Sequence, residues 1–398
     1  MSQPANATIK KKDLRYYSLD FWRGVACLMV AVFHAIPYVT ENPAHVSGNI
    51  ISKKIFSGLS QGWAGVPMFF VISGYCIAAA CEAAMERNVS TKTYFFRRFK
   101  RIYPPFWILF LGVVAVHYCF VLVSGSDYLA RNVVPLTMPW AMSAWQWIGT
   151  ATLTEGWRDH LVGEPSRFFM THAWSLGYEE QFYFVCGMAM LTGRKWFYRS
   201  LAGLSVVVFF IALVNNTVMP LPVDGFFFDG RWLMFAAGVL VFYVVQFGDA
   251  RSRKRAMYLL SACAVLAVVW ALTKPMQIAR QEIVSFLFAI ALIPLFNFDL
   301  RIAQSRWLRP VMWCGVMCYS LYLVHYPVEL LTTQLLYNAG VQGEWSTLFI
   351  TVPLSLCASL LCAWAFYLLV ERRFLNSAPI LPTRAKPVPA DLPVSVNA

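Results

Sequence analysis

The side chains in this sequence best suited to chemistry sit where such groups are costly. Asp20, Arg23 and His34 lie within one apolar run, Leu19 to Val39, and an ionisable group at bilayer depth costs several kcal/mol unless it is paired or meets water. Arg23 and His34 are eleven residues apart, about three turns of helix, so they share a face and stand roughly 16 Å apart along the axis. Asp20, one turn before Arg23, can pair with it. The spacing describes a shaft with two stations. A guanidinium near the mouth can hold an anionic head group, and an imidazole further in can take and return a proton near neutral pH. The plainer reading makes Arg23 an interfacial anchor and has His34 hydrogen-bond a neighbouring helix.

Further along, Arg97-Arg98-Phe99-Lys100-Arg101 precedes Ile102-Tyr103-Pro104-Pro105. Arg98 and Arg101 are one helical turn apart, and guanidinium forks grip phosphate oxygens in pairs. The same cluster also suits a positive loop facing lipid headgroups. In Gly65-Val66-Pro67-Met68-Phe69-Phe70-Val71-Ile72-Ser73-Gly74-Tyr75 the small residues permit close helix approach and Ser73 can hydrogen-bond across an interface. The segment Trp174-Ser175-Leu176-Gly177-Tyr178-Glu179-Glu180-Gln181-Phe182-Tyr183 places two adjacent carboxylates on different helix faces, with Glu179 sharing a face with Tyr183. Glu179 could orient His34 or an incoming hydroxyl, or complement a helix dipole. His325, followed by Pro327, is expected at the outer end of a helix as an interfacial structural histidine rather than a second base.

These positions need a membrane scaffold, and the composition provides one. Of 398 residues, 59% are hydrophobic and 13% charged, against about 25% charged in soluble proteins. The net charge of +13 is scattered in short clusters between apolar runs, which argues for topology and against nucleic acid. The ten cysteines lack zinc-site spacing and read as small buried apolar residues. Runs of about 20 apolar residues predict an all-α integral membrane bundle of about ten transmembrane helices, at about 18–39, 62–84, 103–124, 173–192, 198–217, 230–247, 256–273, 281–298, 311–331 and 347–370. Lys and Arg collect in alternate connections, which places both termini in the cytoplasm. The expected layout is an N-terminal tail over 1–17, a ten-helix domain over 18–373, and a proline-rich disordered cytoplasmic tail over 374–398. The first helix is expected to be retained rather than cleaved as a signal peptide. Pro139-Trp140 and Trp145-Gln146-Trp147 suit an interfacial helix or cap in the longest outer connection.

Taken together, the motifs resemble the acyltransferase type 3 family. Leu19-Asp20-Phe21-Trp22-Arg23-Gly24 with His34 resembles that family's opening motif, and Phe69 to Tyr75, Arg98 to Pro104, Trp174 to Leu176 with Glu179 to Tyr183, and Tyr319 to Leu323 with His325 follow in the family's order. Phe21 and Trp22 depart from the usual small-then-leucine pair, and Pro67 stands where many members have aspartate. The resemblance implies transfer of an acetyl or similar short acyl group from acyl-CoA to a carbohydrate hydroxyl, on a surface polysaccharide, lipopolysaccharide or secreted oligosaccharide. It implies His34 as the acid or base, Arg23 as its companion and Arg98 with Arg101 as donor contacts. Glu179 joins the catalytic candidates, and Asp20, Ser73, Trp174, Tyr183 and His325 are supporting candidates. No bound cofactor or metal is expected, the donor being a substrate, and a multi-pass bacterial inner membrane location follows from the same likeness. The chain is expected to be too short for the extracellular hydrolase-like domain that some members append. The rival class is a polytopic transporter or flippase, since buried charges also line solute pathways; the lack of visible repeat halves counts against it.

Overall fold

The structure is a computed structural model that describes residues 15–36, 49–125, 139–156, 170–217, 227–228, 230–273 and 277–375. The predicted tails up to residue 14 and from residue 376 onward lie outside the described residues, as do the end of the first predicted span and much of the long connection. Among the described residues every regular element is helical, the arrangement that lets a segment satisfy its backbone N–H and C=O groups in apolar surroundings.

In chain order the elements are α1 (Leu19–His34), α2 (Ile50–Leu59), α3 (Gly65–Glu86), α4 (Thr91–Ser124) and α5 (Ala144–Ala151). They continue as α6 (Trp174–Met190), α7 (Arg194–Thr217), α8 (Arg231–Gln246), α9 (Ala250–Thr273), α10 (Gln277–Leu295), α11 (Asp299–Gln304), α12 (Arg309–Val316), α13 (Cys318–Asn338) and α14 (Val352–Leu369). Among the described residues six stretches are long and apolar enough to cross a membrane: Ile50–Glu86, Thr91–Val123, Arg194–Asn215, Ala250–Leu272, Ala279–Gln304 and Glu344–Arg373. The pair α12 and α13, bent by 85°, makes a seventh if it counts as one span.

Within the described residues the ten predicted spans fall largely on helix, but α1, α6 and α8 have 16, 17 and 16 residues, short of the roughly 20 that cross a hydrocarbon core. Two boundaries also differ. The third helix starts at Thr91 rather than near 103, because Ser90 accepts a hydrogen bond from the Thr93 N–H and caps it, and Pro104 and Pro105 sit inside it. The predicted span at 311–331 is broken at Met317, where the chain turns between α12 and α13. Three cysteines, Cys119, Cys357 and Cys362, are exposed rather than buried; they lie on α4 and α14, whose apolar windows are mostly turned outward. The Trp-rich stretch of the long connection does form a short helix, α5, closed by a capping box between Ser143 and Gln146.

The helices meet through glycine. A Cβ on Gly74 of α3 would stand 2.0 Å from the Phe235 carbonyl oxygen, and one on Gly238 of α8 would stand 1.9 Å from that of Val71. The α1 and α12 backbones touch in the same way, Gly24 against Val311 and Gly315 against Asp20. Such close backbone approach lets dispersion act where no hydrophobic force separates helix from lipid. Beside the α3/α8 contact, Phe70 and Phe182 each stack on Phe235, at 4.5 and 4.6 Å, with the fully buried Trp232 against Phe182.

Gly238→Val should therefore lose the folded state or its thermal transition in detergent, since overpacking a tight contact costs about 1–3 kcal/mol or more. Gly112→Ala, with nothing within 4 Å of the added carbon, should melt like wild type.

Candidate functional site

Two helices far apart in sequence bring the histidines together. α13 runs beside α1 in the same direction and at a constant offset: the Cys27 thiol lies 3.7 Å from the Cys318 carbonyl oxygen, 291 residues on, and the same offset sets His325 against His34. Their rings are 5.3 Å apart, centre to centre. His172, in the short turn Thr171–Ala173 ahead of α6, approaches the His325 ring to 5.4 Å and the Tyr326 ring to 5.1 Å. Tyr326 also packs edge-on against His34 at 5.0 Å. The turn is fixed by Tyr322, whose hydroxyl donates to the His172 carbonyl oxygen at 2.7 Å and meets Ser175 Oγ at 3.1 Å. His172 and His325 are buried, whereas His34 is half-buried. The three rings do not form a group that could hold a metal ion, and neither does any other set among the described residues.

About three turns back along α1, Arg23 donates to Asp20 at 2.7 Å and to the Cys76 sulfur of α3 at 2.8 Å. The start of α13 faces it. Arg23, Arg101, Asp20 and Glu371 all act electrostatically on the Cys318 thiol. Glu371, in the turn after α14, is buried and accepts from the Ser320 N–H at 3.0 Å and the Ser320 hydroxyl at 2.5 Å, with Arg101 and Arg23 within electrostatic range. Its carboxylate thus caps the first turn of α13, where the helix dipole favours negative charge. Asp299, also buried, does a similar job ahead of α1, accepting from the Tyr17 and Ser18 N–H groups at 2.9 and 2.7 Å.

A third set of predicted residues forms one network. Ser73 of α3 donates to Glu179 of α6 at 2.5 Å, and the Tyr183 hydroxyl donates to the same carboxylate oxygen. Arg98 of α4 lies over the rings of Tyr94 and Tyr183 at 5.7 and 5.6 Å, and Arg101 acts on Tyr183 as well. Arg101 is within electrostatic range both of Tyr183 in this network and of the Cys318 and Glu371 groups that Arg23 faces.

A family model described as an acyltransferase domain matches residues 16–368 of the chain. This protein belongs to the acyltransferase type 3 family. Within that family it is 24% identical over 323 residues to peptidoglycan O-acetyltransferase OatA of Listeria monocytogenes, covering 71% of this chain and 47% of that protein. BcsY of Komagataeibacter xylinus, provisionally named a membrane-bound transacylase, is 27% identical over 379 residues, 92% of this chain and 85% of BcsY. YrhL of Bacillus subtilis, provisionally named a peptidoglycan O-acetyltransferase, is 24% identical over 303 residues, 70% of this chain and 46% of YrhL. The chain thus spans about half the length of OatA and YrhL. No solved structure matches it.

In this member of the family the structure brings Arg23 to Asp20, and Ser73, Glu179 and Tyr183 to one another, with Arg98 beside them. The hydrogen-bond partners of Glu179 are on α3 and α6, so it belongs to the arginine end of the interior rather than to the His34 end. Trp174 stands elsewhere again. Together with Tyr178 it stacks on Arg231, at 5.2 and 4.6 Å, beside a cavity of about 190 Å³ that Phe106, Thr150 and Gln181 also line. His325, expected at the end of a helix, lies two turns into α13 and is buried against two other imidazoles. Sequence reasoning passed over His172, Tyr326, Asp299 and Glu371. The signal for His172 was a histidine directly ahead of the helix that carries Glu179; the others gain meaning only through partners at long range.

Tyr183→Phe and Ser73→Ala each remove one donor from the Glu179 carboxylate and should destabilise by about 1–3 kcal/mol. Because they share that acceptor, the double variant should depart from additivity in a thermal-shift double-mutant cycle.

Proposed function

We propose that this chain is a membrane O-acyltransferase that moves an acetyl or other short acyl group from acyl-CoA to a carbohydrate hydroxyl, with His34 as general base. The observation that carries the reading is a division of labour along α1 and α13. Guanidiniums of Arg23 and Arg101 act on one patch around Cys318 and the buried Glu371, and three imidazoles gather further on, where the end of α1 meets the second turn of α13 and the turn before α6. The arginine end, with Arg98 alongside, suits the phosphates of the donor. The histidine end suits the thioester at the tip of its long arm.

In the proposed reaction His34 removes the proton from the acceptor hydroxyl as its oxygen attacks the thioester carbonyl. The new C–O bond forms, the C–S bond breaks, and coenzyme A leaves as the thiolate. General-base help of this kind is worth about 10²- to 10⁴-fold. Glu179, Ser73 and Tyr183 would act as supports, holding the interior walls that carry Arg98. The relatives named as peptidoglycan O-acetyltransferases support a hydroxyl-bearing glycan as acceptor and acetyl as the group moved. The clustering of Lys and Arg in alternate connections supports ten passes through a bacterial inner membrane with both termini in the cytoplasm. On that layout the ten-helix domain of residues 18–373 takes its donor from the cytoplasm.

The test is turnover of acetyl-CoA by the purified full chain in detergent or nanodiscs, with released coenzyme A measured by chromatography. His34→Ala should lower kcat by about 10²- to 10⁴-fold. Arg98→Ala and Arg101→Ala should instead raise KM for acetyl-CoA, by about ten- to a hundredfold for each lost charge-assisted contact of about 1.5–3 kcal/mol. Undiminished turnover in His34→Ala would remove the proposed base.

A further inference from the structure

His325 is held in one tautomer. Its Nδ1 lies 3.0 Å from the Leu321 carbonyl oxygen and 2.8 Å from that of Tyr322. Carbonyl oxygens only accept, so Nδ1 carries the hydrogen and Nε2 of the neutral ring carries the lone pair. That Nε2 is buried and has no hydrogen-bond partner among the described residues. Both ring nitrogens of His172 are buried as well and make no hydrogen bond of normal geometry, although the Leu323 backbone is within reach. A buried polar atom without a partner costs about 1–3 kcal/mol, and here such atoms gather on two adjoining rings, one of them next to His34. Such a concentration is what a site for a mobile proton needs: an acceptor whose orientation is fixed and which no static donor occupies.

We propose that His325 is the proton partner of His34, its Nε2 receiving the proton that His34 passes on. The inference rests on the reading of His34 as general base. In the step, the acceptor O–H bond breaks as one ring nitrogen of His34 takes that proton, and the other ring nitrogen releases its own proton to Nε2 of His325. His34 ends neutral with its tautomer exchanged, and His325 holds the positive charge until the proton returns through His34 to the leaving thiolate. The ring separation of 5.3 Å brings facing ring edges close to hydrogen-bond range. The surroundings suit a transient cation. His34 faces it from α1 and His172 from the turn before α6, while Tyr322 and Tyr326 flank it on its own helix. One turn on, Glu329 lies fully buried on α13 within 3.4 Å of Ser359 of α14, whose hydroxyl also reaches the His325 carbonyl oxygen at 3.5 Å. His325 acts through His34 and is a positioning residue rather than one that touches substrate.

The decisive variant is His325→Asn. Its amide nitrogen occupies the place of Nδ1 and can still donate to the two carbonyls, but nothing replaces Nε2. With acetyl-CoA as the probe and coenzyme A release measured across the neutral pH range, the expected result is a thermal transition like wild type, KM unchanged, and kcat lowered by about tenfold or more. The acid limb of the kcat profile should also move. Wild-type kcat under His325→Asn, with His34→Ala inactive, would overturn the role of His325 and leave His34 standing. Undiminished turnover in His34→Ala would instead overturn the underlying reading. Should His325→Asn fold poorly, a proton inventory on the wild-type protein decides: a bowed dependence of kcat on deuterium fraction is expected for two protons in flight, and a linear one overturns the proposal.

Discussion

The parallel register of α1 and α13 is the constraint on which the interior depends. With an offset of 291 residues fixed at Cys27 and Cys318, the second half of α1 has an assigned neighbour on the first two turns of α13, while its first half lies against α12. Arg23 then falls one turn short of α13, within electrostatic range of Cys318, and His34 falls opposite His325. A slip of one residue would rotate the imidazoles off a common face by about 100°. The register is held at both starts by carboxylates supplied from elsewhere, Asp299 ahead of α1 and Glu371 at the first turn of α13. A buried carboxylate is expensive unless hydrogen-bonded, so these two contacts are demanding in position as well as stabilising.

Glycine sets how close the remaining helices come. Gly24 and Gly74 each follow a polar residue of the interior, Arg23 and Ser73, and each presses its helix onto a neighbour's backbone. The side chain next to the contact is then turned toward the other walls: Arg23 to Asp20 and Cys76, Ser73 to Glu179. Short polar contacts at depth thus follow from close backbone packing. The aromatic stack of Phe70, Phe235 and Phe182 fills the adjacent space, leaving the polar groups few alternatives.

Much of this was legible in the sequence wherever the signal was local. The pairing of Asp20 with Arg23 follows from i,i+3 spacing, the shared face of Glu179 and Tyr183 from i,i+4 spacing, and the helices from apolar runs. What stayed hidden depended on partners on other helices, from 51 to 291 residues away. Nothing near His325 announces His34, and nothing near Glu371 announces Ser320. The break at Met317 was also silent, since Val316-Met317-Cys318 contains neither proline nor glycine; it arises where Gly315 is seated against Asp20 and the chain must turn to follow α1. Hydropathy likewise counted α1, α6 and α8 by apolar character, while their helical lengths were set by packing.

Glu371 belongs to the last turn before the tail, yet its carboxylate is stitched into the start of the helix that carries His325. The end of the domain is therefore mechanically coupled to its centre. An affinity handle, a fluorescent fusion or a tether joined close behind Phe374 would pull on that stitch, and a spacer long enough to relieve the tension is the sensible way to attach one.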